Sequence, residues 1–156
     1  MQLINIYRKK QRHNQKAMQK LSSLLSEGGK IVFVAPSGGR DRRNDSGQVQ
    51  VAPFNAQSIE MFYLMAQRSG RTIHFMPLTL DTYNILPPPD TVEKQLGEKR
   101  LAKRSPVHMA FGTELDMQNF PGNLVSDKKQ KRENRSKYIW EIINKTYQNF
   151  RLKNTK

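Results

Sequence analysis

The chain carries 27 Lys or Arg against 13 Asp or Glu over 156 residues, a formal charge of +14, with three His and no Cys. A thiolate zinc site, a cysteine nucleophile and a disulfide scaffold are thereby excluded, and 36% hydrophobic residues suffice for one domain with a modest core. No stretch approaches the roughly 18 to 20 apolar residues of a membrane span, and the opening MQLINIYRKKQRHNQ lacks the apolar run of a signal peptide, so a soluble intracellular chain is expected.

Leu3 to Tyr7 (LINIY) reads as a short strand, followed by a basic turn from Arg8 to Arg12. From Asn14 to Ser26 the apolar residues Ala17, Met18, Leu21, Leu24 and Leu25 keep helical spacing, and Gly28-Gly29 closes that helix as a left-handed cap. Lys30 to Ala35 (KIVFVA) is β-branched and apolar enough for a buried strand. A loop is expected from Pro36 to Pro53. Asn55 to Arg68 reads as a helix capped by Asn55, with Ile59, Phe62, Met65 and Ala66 inward and Gly70 ending it. Thr72 to Leu80 (TIHFMPLTL) reads as a further buried strand, bent or placed near an edge by Pro77. At the C-terminus the run Asp127 to Lys137 leads into Tyr138, Ile139, Ile142, Ile143, Thr146 and Phe150, the stripe of an amphipathic helix. Trp140, Tyr138, Tyr147 and Phe150 fall on that helix and are expected to pack rather than stack on bases. The alternation implies an α/β fold with a mixed, partly parallel sheet flanked by helices. No internal repeat is present.

Charge is concentrated at the ends: residues 1–30 carry a net +6, residues 31–126 a net +1 and residues 127–156 a net +7. Such arms fit a nonspecific polyanionic partner, nucleic acid or anionic membrane. They fit a solvated helix face equally well.

The segment Pro36-Ser37-Gly38-Gly39-Arg40-Asp41-Arg42-Arg43 follows the carboxyl end of an expected strand, where open α/β sheets place their ligand sites. Its two glycines let backbone approach a ligand closely. Arg40 and Arg42, at alternate positions, can grip a phosphate by paired hydrogen bonds, with Asp41 holding the guanidinium groups. Gly-Gly followed by Arg equally describes an exposed turn.

Four blocks in register carry more. FVAPSGGRDR at Phe33 to Arg42, Ala52-Pro53-Phe54-Asn55-Ala56, Pro77-Leu78 with Ile85-Leu86-Pro87-Pro88-Pro89, and Gly97-Glu98-Lys99-Arg100 closely resemble the soluble glycerol-3-phosphate acyltransferases of plant plastids and chlamydia-like bacteria. The match in order and spacing covers about residues 1 to 112. The resemblance implies an acyltransferase-like fold and transfer of a fatty acyl group from acyl carrier protein or coenzyme A to the 1-hydroxyl of glycerol 3-phosphate, in a plastid stroma or bacterial cytoplasm. No cofactor beyond the acyl donor is implied. Arg40 and Arg42 occupy the places of the family's phosphate-holding arginines, with Ser37, Gly38, Gly39 and Asp41 as their supporting loop, and Lys10 in Tyr7-Arg8-Lys9-Lys10 is a further phosphate contact. The chain departs from the family at Gln11, where His is usual, and at Thr82-Tyr83-Asn84, where plant members show Cys-His-Asp. Nucleic acid is not an expected partner on this reading. The basic ends instead suit an acidic carrier protein.

Acyltransferases of this superfamily place His five positions before an Asp that orients it as the base. Here Met18, Thr79 and Thr113 stand five positions after His13, His74 and His108, so the motif is absent. In the family it precedes the basic loop, so residues 1–125 are expected to form the C-terminal portion of the catalytic domain, without the earlier helical domain and first strands. Residues 126–156 then form a basic amphipathic helix packed on that domain. Of the three histidines, His74 is expected as a satisfied core imidazole, His13 on an exposed helix start and His108 facing solvent from a strand. The seven Met read as core filling, and Pro87-Pro88-Pro89 as a rigid extended corner.

Overall fold

A computed structural model describes residues 2–37, 41–88 and 102–153. In chain order these form α1 (Gln2–Glu27), β1 (Arg42–Arg43), β2 (Val49–Gln50), α2 (Ala56–Arg68), β3 (Leu78–Asp81), β4 (His108–Phe111) and α3 (Lys128–Lys153). They divide into two units, one of residues 1–34 and 60–73 and the other of residues 35–59 and 74–156. The α/β character follows the sequence. Both described ladders are antiparallel pairs, β1 with β2 and β3 with β4, so the partly parallel pairing expected is not among them.

In the first unit α1 runs unbroken through Leu3–Tyr7 and Arg8–Arg12, where a strand and a turn were expected. A five-residue apolar run has no decisive period of its own. The residues that follow it, Lys, Gln and Arg without Gly or Pro until Gly28, propagate a helix once it starts. Gly28 and Gly29 then stop it with φ of 76° and 62°, a conformation a side chain would resist. Arg71 donates Nε–H to the carbonyl of Ser26 at 3.0 Å and so satisfies one of the last helical acceptors. The Lys30–Ala35 segment forms no strand: Ile31 is 100% and Phe33 66% exposed, and residues 31–35 pair with no described strand. β-Branched propensity is expressed only against a neighbouring strand.

The expected loop from Pro36 to Pro53 contains a hairpin. Asn44 closes its turn twice, receiving the Gln48 amide on Oδ1 at 2.9 Å and donating its own amide to the Gln48 carbonyl at 2.8 Å. Gly47 supplies the positive φ of 74°. α2 starts where Asn55 Oδ1 accepts the Ser58 amide at 2.8 Å, the N-cap bond expected.

Of the strand expected from Thr72 to Leu80 only Leu78–Leu80 pairs regularly, within β3, which runs one residue further to Asp81. Pro77 has no N–H to give a ladder. The chain before it instead accepts single bonds, Gly112 N–H to the Pro77 carbonyl at 2.9 Å and Leu115 N–H to the Phe75 carbonyl at 2.8 Å. Pro87 and Pro88 lie after β3 in no regular element, while Pro89 and the Gly97–Arg100 block lie outside the described residues.

α3 packs on β2 and β3. Its inward stripe is Arg135, Ser136, Ile139, Ile143 and Tyr147, and Tyr147 is the one side chain with no exposure among those described. Val49, Val51 and Tyr147 form the buried core here, with Phe54, Tyr83, Trp140 and Ile143 packed around it. Arg135, within the run read as a solvated basic face, is buried: its Nε–H reaches the Met117 carbonyl at 3.0 Å and its guanidinium lies 5.1 Å over the Phe120 ring. Helical phase places it one turn before Ile139, on the inward side.

Candidate functional site

The glycine and arginine segment enters the second unit at Pro36, whose carbonyl accepts the Asn55 amide at 3.0 Å. That bond ties the segment to the start of α2. Ser37 follows in a half-buried turn, and Gly38, Gly39 and Arg40 lie outside the described residues. Asp41 is half-buried, and its Oδ1 accepts the Ala52 amide at 2.9 Å, joining the entry of β1 to the residues after β2. Burial pushes the Asp41 carboxyl above its ordinary range against the lowering effect of the Ala52 bond, and the Asp81 carboxylate pushes the same way as burial. Arg42 is exposed on β1, paired in register with Gln50. Lys10 lies on α1, in the other unit. Of the predicted site residues, the structure therefore places Ser37, Asp41 and Arg42 within one unit.

Beneath this hairpin is a polar group that the sequence reading did not single out. Asp81, at the end of β3, is buried and bonded through both carboxylate oxygens to Arg151 Nη1 at 3.3 Å. Arg151 also reaches the Asn84 side-chain oxygen at 3.4 Å. Arg43 and Arg151 each lie over the Tyr83 ring, at 5.6 and 5.5 Å from its centre. The Tyr147 hydroxyl is buried and accepts or donates no hydrogen bond of good geometry. Its burial, with Asp81 and Asp41 close by, pushes its pKa well up. Helical spacing from Ile139 through Ile143 marks Tyr147 as inward. Nothing local in the sequence marks Asp81 or Arg151, which meet across 70 residues.

Two histidines depart from expectation. His74 is no core imidazole: its Nδ1 sits 2.8 Å from Glu114 Oε1, with the two side chains 63% and 54% exposed. The irregular chain before Pro77 leaves it outside any sheet. His108 turns inward instead of to solvent, because β4 sends Met109 and Phe111 outward and His108 stands opposite Asp81. Its ring lies 5.6 Å from that of Phe150, and its Nε2 is buried without a hydrogen-bond partner. His13 is exposed, in the middle of α1 rather than at its start. Among the described residues no three His, Asp or Glu side chains gather as a metal would require, and no helix is long and apolar enough to cross a membrane.

Residues 1–81 match the family model described as Acyltransferase. The chain is 33% identical over 140 residues to the chloroplastic glycerol-3-phosphate acyltransferase of Arabidopsis thaliana, an alignment covering 89% of this chain and 30% of that protein. It is 30% identical over 139 residues to the corresponding protein of Pisum sativum, covering 88% and 30%. With that of Phaseolus vulgaris it shares 39% identity over 89 residues, covering 56% and 19%. The chain thus spans under a third of the length of these relatives.

Proposed function

Since the chain belongs to the acyltransferase family, we propose that it is the phosphate-holding part of a glycerol-3-phosphate 1-O-acyltransferase, which joins a fatty acyl group from acyl carrier protein or acyl-CoA to glycerol 3-phosphate. The observation that carries this reading is the alignment of 88 to 89% of the chain with proteins named for that activity. It spans the glycine and arginine segment. Arg40 and Arg42 form charged hydrogen bonds to the phosphate, and Lys10 adds a third cation. Ser37, Gly38, Gly39 and Asp41 shape the loop that carries the arginines.

Fixing the phosphate fixes the 1-hydroxyl of the substrate relative to the acyl thioester. Attack by that oxygen on the thioester carbonyl forms the ester bond and breaks the carbon–sulfur bond, and the departing sulfur takes up the proton that the hydroxyl lost. The base that accepts this proton first is, in this reading, the His of a His-x-x-x-x-Asp pair supplied by sequence outside these 156 residues. The positive ends of the chain give the acidic carrier protein its approach.

The test is a binding titration with glycerol 3-phosphate and, on the same preparation, an assay for lysophosphatidate with either acyl donor. Binding without turnover is expected. Turnover would place the base within this chain, and His74, whose ring is already held by Glu114, would be the residue to replace. No binding would reject the phosphate site.

A further inference from the structure

The turn that leads into α3 is tied at several points. Phe120 is buried, and its carbonyl accepts the Asn123 amide at 3.0 Å. Asn123 Nδ2 donates to the Gln118 carbonyl at 3.0 Å, and Asn134, on α3, donates from Nδ2 to the Gly122 carbonyl at 2.9 Å. The same turn that takes Phe120 in sends Leu124 out. Leu124 is 92% exposed, and Pro121 and Val125 beside it are exposed as well. A leucine carried on a tied turn stays in water, where the fold gains nothing from it. Three residues further on, α3 opens with Lys128 and Lys129, both exposed, and then Lys131 and Arg132, both half-buried. These four bases outnumber Asp127 and Glu133, leaving residues 127–133 at a net +2. The stability of the helix does not account for them, since its start favours acids and its end bases.

We propose that the turn at residues 121–125 and the start of α3 together dock on an anionic membrane surface, Leu124 entering the boundary of the hydrocarbon while Lys128, Lys129, Lys131 and Arg132 meet the lipid phosphates. An apolar projection beside a short basic run supplies the two signals that reversible attachment to a lipid surface takes. The lysine stems lie along apolar surface while their ammonium groups reach the headgroups. Nucleic acid would use the charge and leave the leucine in water, whereas a lipid surface uses both. The inference does not rest on the phosphate reading above, because none of these residues belongs to that site.

The experiment is co-sedimentation of the 156-residue protein with vesicles of phosphatidylcholine alone, or of phosphatidylcholine with an equal part of phosphatidylglycerol. The parent is compared with Leu124→Ser, with Lys128→Gln and Lys129→Gln combined, and with Lys128→Arg and Lys129→Arg combined, circular dichroism checking that each stays folded. Binding is expected to the anionic vesicles only. Leu124→Ser should weaken it about tenfold, the scale of burying one leucine. The paired Gln variant should weaken it about twentyfold, for two charges near the lipid surface, and the paired Arg variant should retain it. Because the chain has no Cys, Leu124→Cys carrying an environment-sensitive dye reads insertion directly. Its emission should shift to the blue on anionic vesicles, while the same dye at Asn149→Cys, exposed further along α3, should not shift. An unshifted dye at residue 124, or full vesicle binding in Leu124→Ser, would overturn the proposal and leave a surface that acts by charge alone. Equal losses in Leu124→Ser toward vesicles, a single-stranded oligonucleotide and acyl carrier protein would overturn it too, since hydrocarbon would then not be what the leucine meets. Absence of vesicle binding by the parent would reject it outright, while the glycerol 3-phosphate titration reads the phosphate site separately.

Discussion

Asp41 lies between Arg40 and Arg42 in sequence, yet its carboxyl is harder to ionise than a free one, because burial outweighs the help it receives from the Ala52 amide. The consequence for stability has a definite sign. A carboxyl whose pKa is raised on folding binds more proton in the folded state than in the unfolded one, so its contribution declines as pH climbs from roughly 4 toward the folded value. Asp41→Asn keeps an oxygen for the Ala52 amide and removes the charge. Urea unfolding should therefore show the variant level with the parent near pH 4 and equal or better at pH 7. A clear loss at pH 7 would mean that the carboxylate is stabilised by partners stronger than its burial. Arg42→Ala should weaken glycerol 3-phosphate binding by roughly 1.5 to 3 kcal/mol, the range for a charged hydrogen bond. Unchanged affinity would remove Arg42 from the pocket. Asp41 and Arg42 could be proposed as site residues from the sequence, since a glycine pair and alternating arginines after an apolar run form a local pattern. Asp81 and Arg151 could not, because they are joined only by the fold.

Among the elements, α2 shows how a strong local signal survives. Asn55, the inward Ile59 and Ala66, and Gly70 at φ 68° all stand where the sequence placed them, because cap, period and stop agree. Asn55→Ala should cost about 1 kcal/mol in urea unfolding. The strands were read less well. Lys30–Ala35 has the composition of a buried strand but no described partner, and pairing, not composition, makes a strand. Leu3–Tyr7 was too short to outvote the helix formers that follow it. In α3 the period was legible and its phase was partly missed, since Arg135 carries a charge that a search for apolar residues passes over. Trp140 Nε1 donates to the Val51 carbonyl at 3.1 Å. Trp140→Phe should lower stability by about 1 kcal/mol, with a larger loss where the orphaned carbonyl finds no water. Gly122 has φ of 80°, and a Cβ there would stand 2.5 Å from Asn134 Nδ2, the atom that donates to its carbonyl. Gly122→Ala should therefore destabilise the approach to α3, visible as a lower urea midpoint.

For the whole molecule, the charge of +14 bears on encounter more than on the fold. If the basic ends receive an acidic carrier protein, raising salt from about 50 to 500 mM should lower its affinity steeply, as for contacts screened over about a Debye length. Salt-insensitive binding would argue for an apolar contact. Not all of the C-terminal charge faces water, however, since Arg135 and Arg151 are consumed inside the unit. The helix that carries them also acts on the segment beneath it as a neighbouring strand would. Ser136 Oγ, Trp140 Nε1 and Gln148 Nε2 meet the carbonyls of Phe54, Val51 and Val49 in turn, while Gln48 turns its carbonyl the other way, to Asn44. The outer border of this small hairpin is thus already sealed by side chains. A foreign extended peptide seeking to lengthen the ladder there would find its acceptors occupied, which guards this border against edge-to-edge association.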